Sequence, residues 1–251
     1  MIGVNSMIVK EFNPSGIVSA SEVKLIELSL ADYDFTKNGF FRKALSVKES
    51  YDVEYTIHAP FQNSAVKHLR VNFAEIKPEN FKVMEKVLKV CDLIDAKRIV
   101  IHAGDVIGDL DRSLRNVVRN LRELCKNKDY EFALENLYTE NGVRRVCETP
   151  DEMLFVLENV GADNLVVNLD VGHAYLAGKQ QGFLPEEFLE KLDGSIRHMH
   201  VHNNYGIRDD HNPPVRGLID VRKFRCDADV KIVEVKNGTR EELFRSMAML
   251  F

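Results

Sequence analysis

The amino-acid sequence predicts a single α/β domain over residues 1–251, a closed (β/α)8 TIM barrel, on three observations. Eight short apolar runs alternate with helical patterns from one end of the chain to the other. No Pro/Gly/Ser-rich linker or low-complexity stretch interrupts them. The glycine-rich G-x-G-x-x-G loop that a doubly wound open sheet would place after a strand follows none of the eight. With 251 residues, 45% apolar and 29% charged, the chain is long enough for one such barrel and its core.

The strands are predicted at 2–6, 23–30, 53–59, 98–103, 130–137, 164–170, 195–202 and 230–236. Between the third and fourth, residues 82–94 carry Val83, Val87, Val90 and Ile94 at spacings of three and four, the period of a crossover helix. Residues 110–125 repeat the pattern with Leu114, Val117, Val118, Leu121 and Leu124. Pro78 and Pro150 stand near the openings of the helices after the third and fifth strands, where a missing N–H costs little. Asp151-Glu152 and Glu241-Glu242 put acid in first turns, where the helix dipole favours it. Thr239 is the expected N-cap of a closing helix that turns Leu243, Met247 and Leu250 to one side.

A net charge of −5 gives nucleic-acid binding no support from bulk electrostatics, although a local basic patch can supply it. Met1 is followed by strand-like Ile2-Gly3-Val4 without a basic leader, and no run of about 18 apolar residues occurs. The expectation is a cytoplasmic protein with no membrane partner. Cys91, Cys125, Cys147 and Cys226 form no C-x-x-C pair, so they are expected to be buried thiols rather than zinc or redox ligands.

The chemistry is expected from residues that end apolar strands: His58, His102, Glu135, Asp170 and Glu234, with His173 three residues past Asp170. In a parallel barrel these ends converge on one mouth. Several carboxylates and imidazoles crowded there repel or desolvate one another unless a cation offsets them. In the seventh strand Ile196, His198, His200 and His202 share a face by the period of two, which sets His200 level with the other strand ends. His198 is expected deeper, as a core histidine, and His202 at the rim in contact with substrate. The polar loop after this strand offers Asp209 and His211, two apart, as a further ligand pair.

These residues occur as His58-Ala59-Pro60-Phe61, His102-Ala103-Gly104, Leu134-Glu135-Asn136, Leu169-Asp170-Val171-Gly172-His173-Ala174, His200-Val201-His202-Asn203-Asn204, Asp209-Asp210-His211 and Val233-Glu234-Val235. In that order they resemble the xylose isomerase-like TIM-barrel superfamily, which includes sugar isomerases and epimerases and the endonuclease IV type of abasic-site nuclease. The resemblance implies a divalent metal, manganese, magnesium or zinc, in one to three copies. For a sugar or sugar-phosphate isomerase/epimerase it implies one metal on Glu135, Asp170, His200 and Glu234, with Glu135 and Glu234 as the acid and base that exchange an α-proton. For the nuclease it implies three zinc ions on His58, His102, Glu135, Asp170, His173, His200, Asp209, His211 and Glu234, and DNA as the substrate.

Departures from the nuclease favour the isomerase/epimerase reading and a small-molecule sugar partner. The glycine-rich stretch usual after the nuclease's first strand is replaced by Asn5-Ser6-Met7-Ile8-Val9-Lys10, and its small-residue run after Glu135-Asn136 by Leu137-Tyr138-Thr139-Glu140-Asn141-Gly142. The Gly-Glu-Gly common beyond the Asp-x-His pair is Val215-Arg216-Gly217, a departure from both branches, and Asn203 stands where an acid is frequent. Phe61 is a candidate wall of a sugar pocket. Arg197, Arg208 and Arg216 are candidates to meet a substrate phosphate.

Overall fold

The computed structural model describes residues 1–32 and 34–250. Its strands are β1 (Ile2–Asn5), β2 (Leu25–Ser29), β3 (Glu54–His58), β4 (Arg98–His102), β5 (Glu131–Glu135), β6 (Leu165–Asp170), β7 (Ile196–Val201) and β8 (Val230–Val233). They pair in sequence order, and β8 closes on β1 through parallel pairings such as Gly3 with Ile232. The expected (β/α)8 barrel is therefore observed. Its strands are shorter than the apolar runs, because the runs continue past the ladder into the loops of the barrel mouth.

The helices are α1 (Asn38–Tyr51), α2 (Pro78–Ile94), α3 (Leu110–Leu124), α4 (Pro150–Val160), α5 (Val171–Gln181), α6 (Glu187–Leu192) and α7 (Arg240–Ala248). Pro78 and Pro150 open α2 and α4 as expected. Thr239 caps α7 in a reciprocal capping box with Glu242. In α3, Asp109 accepts from the Arg112 N–H at 2.8 Å, and Leu114, Val117, Leu121 and Leu124 are buried against the barrel. Cys91, Cys125 and Cys147 are buried free thiols, and Cys226 is half-buried.

Seven helices, rather than one per strand, are found among the described residues. The β1–β2 and β7–β8 connections hold only short 3-10 turns, at Ser6–Ile8, Ala20–Glu22 and Val221–Lys223, while β6 and β7 are joined by two helices. Pro14, Gly16, Gly206, Pro213, Pro214 and Gly217 break those two connections into turns. The uncovered outer side of β7 and β8 borders a groove of about 580 Å³. No helix among the described residues is long and apolar enough to cross a membrane.

Alternation along each strand sends one set of side chains to the helices and the other into the barrel. A small apolar layer of Val100, Ala133 and Val166 fills the interior near the strand starts. Above it the interior turns polar, with Glu27, Thr56, Asn168 and His198 all buried. The next layer is the strand-end ring, in which β4 and β5 set His102 opposite Glu135 and β6 and β7 set Asp170 opposite His200. A register shift between Val167 and Asn168 brings the last pair level.

Candidate metal centre

The ring encloses a cavity of about 160 Å³ at the barrel mouth, lined among others by His58, Phe61, His102, Glu135, His173, Asp209, His211 and Glu234. His200 is buried against two of these lining residues, Glu135 and Glu234. The imidazole Nδ1 of His200 lies 3.4 Å from Glu135, 3.3 Å from Glu234 and 3.8 Å from Asp170. Asp170, His200 and Glu234 form one group of converging donors, and Glu135 belongs to adjoining groups with His58 and His200 and with Asp170 and His173. His58 and His102 approach the same Glu135 oxygen, each at 3.5 Å. On the other side His173, His202, Asp209 and His211 form a second group of converging donor atoms.

Local chemistry explains why each donor faces inward. Asp170 ends β6 and caps α5: its Oδ1 accepts the His173 N–H at 2.7 Å, which fixes His173 in the helix's first turn. Asn136 clamps the Asp170 backbone from both sides, donating to its carbonyl at 3.0 Å and accepting its N–H at 2.7 Å. Gly172 lets His202 pack against that turn, since a Cβ there would stand 1.9 Å from the His202 ring. His202 stacks on His211 with centroids 4.2 Å apart, and Phe61 stacks on His102 at 4.4 Å.

Three histidines have their tautomer set by the backbone. Nδ1 of His58, His173 and His211 lies 3.0, 3.1 and 3.1 Å from the carbonyls of Ala59, Asn136 and Glu234. A carbonyl only accepts, so each Nδ1 carries a proton, which leaves Nε2 as the nitrogen that can ligate once it is deprotonated. Metal-ligating histidines are held in this way.

The cavity's charge is held by contests between burial and neighbours. Burial pushes the Glu135 carboxyl up, but the His102 and His200 rings outweigh it and hold it well below the usual carboxylate range. Glu234 is held low against burial by His200 and His211, and Asp209 by His211 and His202. Burial lowers His102 to about 4, whereas Glu135 raises His58 to about 9 in spite of burial. The result is a ring of ionised carboxylates facing imidazoles of mixed charge.

A divalent cation fits this donor set. His102 Nε2 and His200 Nδ1 are buried, 3.5 Å from Glu135 and 3.3 Å from Glu234 respectively, without a hydrogen bond. Asp209 Oδ1 and His202 Nδ1 are likewise buried without a partner. Atoms that converge on shared points without bonding one another are arranged as ligands.

Of the residues singled out in the sequence, Glu135, Asp170, His200, Glu234, His58, His102, His173, Asp209 and His211 gather in this one site, together with Phe61 and His202. Arg208 does not join them: its side chain is 84% exposed and its guanidinium is held 2.6 Å from Asp210. Arg197 pairs with Asp229 and Arg216 with Glu242, and neither lines the cavity. Asn203, in place of an acid, is buried and organises the following loop. It donates to the carbonyls of Pro214 and Ile219 at 3.0 and 2.9 Å and accepts from the N–H groups of Asn204 and Ile219. A carboxylate has no donor for the first two bonds. Gly217 packs against this amide, where a Cβ would come within 2.1 Å of its oxygen.

Among the residues of the site that escaped sequence reasoning are Glu27, Lys236 and Arg145. Glu27, buried inside β2, lies 3.2 Å from His198 and 2.8 Å from His200, so it is the carboxylate beside the buried core histidine and joins it to the site. Its signal was a lone acid in the apolar run Leu25-Ile26-Glu27-Leu28. Lys236 lines the mouth two residues past Glu234, a spacing that places both on one face of an extended segment. Arg145 also lines it, from a loop with no periodic pattern to announce it.

Fold and site together define a (β/α)8 barrel with a His/carboxylate centre at its C-terminal mouth. Residues 23–227 match the xylose isomerase-like TIM barrel family, and the chain belongs to that family. An uncharacterised protein of Methanocaldococcus jannaschii is 28% identical over 231 residues, covering 88% of this chain and 84% of its own. Among solved structures, a D-tagatose 3-epimerase-like protein superposes with a TM-score of 0.76 at 22% identity, covering 99% of this chain and 95% of its own. An AP endonuclease, family 2, from Brucella melitensis gives 0.72 at 17% identity, covering 99% and 98%.

Proposed function

We propose that the chain is a divalent-metal-dependent isomerase or epimerase of a sugar or sugar phosphate, with Glu135 and Glu234 as its acid/base pair. The observation that carries this reading is the placement of both carboxylates 3.4 and 3.3 Å from the same His200 nitrogen, on a cavity of about 160 Å³. Glu135, Asp170, His200 and Glu234 would hold the metal. A bound divalent ion supplies Lewis acidity toward a carbonyl and its neighbouring hydroxyl. An ionised glutamate can take the α-proton and return it to the same carbon or its neighbour, and return to the opposite face would need the other glutamate to have taken a proton from solvent first. Asn168 donates to Glu135 Oε2 at 3.0 Å, which fixes that oxygen and leaves Oε1 to face His173. Phe61 and Tyr138 wall the cavity and limit water at the reacting carbon.

A second reading, zinc-dependent hydrolysis of phosphodiesters at abasic sites in DNA, is favoured by one specific observation. His173, His202, Asp209 and His211 converge as donors beyond the four that a single metal uses. Elemental analysis of the purified protein, solvent-deuterium exchange into a ketose panel, and cleavage of an abasic-site oligonucleotide separate the two. One metal per chain with exchange and no cleavage supports the isomerase/epimerase reading; three zinc ions with cleavage overturn it.

A further inference from the structure

Arg145 is the one guanidinium among the described residues that lines the cavity, and it is 4% exposed. Its position is set by its backbone. The buried Glu148 accepts the Arg145 N–H at 2.7 Å and the Thr139 hydroxyl at 2.9 Å, and Arg145 forms an isolated antiparallel bridge with Asp105. The guanidinium therefore projects beside Tyr138, 5.7 Å from the ring centroid, whatever its polar partners do.

Those partners are few. Nη2 donates to Glu140, whose side chain stands at the rim and is 36% exposed. Nε is buried, lies 3.6 Å from Asp105 Oδ1 and makes no hydrogen bond. Burial pushes the Asp105 carboxyl up against the opposing pull of Arg145, which makes it a weak counter-ion. A buried guanidinium that lines the cavity, paired with a carboxylate at the rim and with its buried Nε left without a hydrogen bond, suits an anion that enters the cavity.

We infer that Arg145 is a specificity-determining residue that binds an anionic group of the substrate, a carboxylate or a phosphate, and that Glu140 holds the guanidinium until that group displaces it. The inference rests on the small-molecule reading above and narrows its substrates to sugar acids or sugar phosphates.

The test uses the metal-loaded full chain and three probes that ketose chemistry cannot turn over: ribitol, ribitol 5-phosphate and ribonate, titrated calorimetrically. One anionic probe is expected to bind at least tenfold tighter than ribitol, and which one does so distinguishes phosphate from carboxylate. Arg145→Met and Arg145→Lys are expected to abolish that preference without weakening ribitol. Glu140→Gln, at the half-exposed rim, is expected to tighten the preferred anion threefold or more. Equal binding of all three probes to the unaltered chain overturns the inference. So does a preference that survives both Arg145 variants, because the anion is then held by the metal or by Lys236. If the Arg145 variants do not fold, unchanged or weaker anion binding by Glu140→Gln overturns it. A preference with no ketose exchange leaves this inference standing and removes the proposed reaction alone.

Discussion

Glu27 Oε1 and His200 Nε2 lie 2.8 Å apart across the barrel interior, and both side chains are buried. With its Nε2 side facing Glu27, His200 presents Nδ1 to Glu135, Asp170 and Glu234. A carboxylate behind a ligating imidazole raises its basicity and fixes its orientation, and losing one costs about 10–100-fold in metal affinity. Glu27→Gln keeps the shape and removes the charge. Titration of the chelator-treated variant with manganese or zinc should show a weakening of that order, with an unaltered far-UV dichroism spectrum. Equal affinity in the two proteins removes Glu27 from the site.

Removal of metal should cost stability, because the buried carboxylates lose the cation that offsets their mutual repulsion. A site held at about 100 times its dissociation constant contributes about 2.7 kcal/mol. For a chain of this length that is a melting-temperature shift of roughly 5–10 °C. Calorimetric scans before and after chelation, with stoichiometric metal restored in a third scan, should show the shift and its reversal. Coincident scans would mean that the ring is stable without a cation.

Gly172→Ala should act on the site through packing. The added methyl meets the His202 ring at 1.9 Å, and His202 is confined between Asp170, Asp209 and the face of His211. Overpacking of this kind costs about 1–3 kcal/mol. Urea unfolding should report that loss, and the stoichiometry of tightly bound metal should fall where the His173, His202, Asp209 and His211 group takes part. A variant as stable as the parent sinks the prediction.

At the opposite end of the barrel, Asp229 sits between Arg98 and Arg197 at 2.8 and 2.7 Å. Burial pushes its carboxyl up, but the two guanidiniums outweigh burial and hold it below the usual range. A depressed folded value means stability that is present above the unfolded value of about 3.9 and lost as pH falls through the folded one. The side chain is 41% exposed, so after solvent screening the pair is worth about 1 kcal/mol at most. Asp229→Asn should lower stability by that much at pH 7 and converge with the parent as pH falls through the depressed folded-state value. A constant difference across that range assigns the effect to packing.

The strand-end ring was legible in the sequence because alternation and convergence are local rules. A His or Glu closing an apolar run in a parallel barrel has one place to go. His200 and His198 share a face for the same reason, but the partner that joins His198 to the site is Glu27, more than 170 positions away, and no periodicity links them. Arg145 owes its place to Glu148 and Asp105, contacts that exist only after the β5–α4 loop has folded back on itself and packed against the β4–α3 loop. Arg208 shows the reverse. Its polar loop invited a substrate role, but Asp210 two residues on satisfies it in place. Helix count was misread where prolines and glycines shorten a connection to turns, since strand number alone does not say what joins the strands.

Asp170 is at once the last residue of β6, the cap of α5 and a member of the ring. Shifting its carboxylate means unseating a helix and breaking the double clamp from Asn136, so this corner of the centre is tied to the scaffold. The segment carrying Tyr138, Glu140 and Arg145 is anchored instead by the carboxyl of Glu148, and it can be rebuilt without touching a strand. Divergence within such a barrel is then channelled: the metal-holding corner stays as inherited architecture, and new chemical appetites arise by rewriting a dozen residues between Asn136 and Thr149.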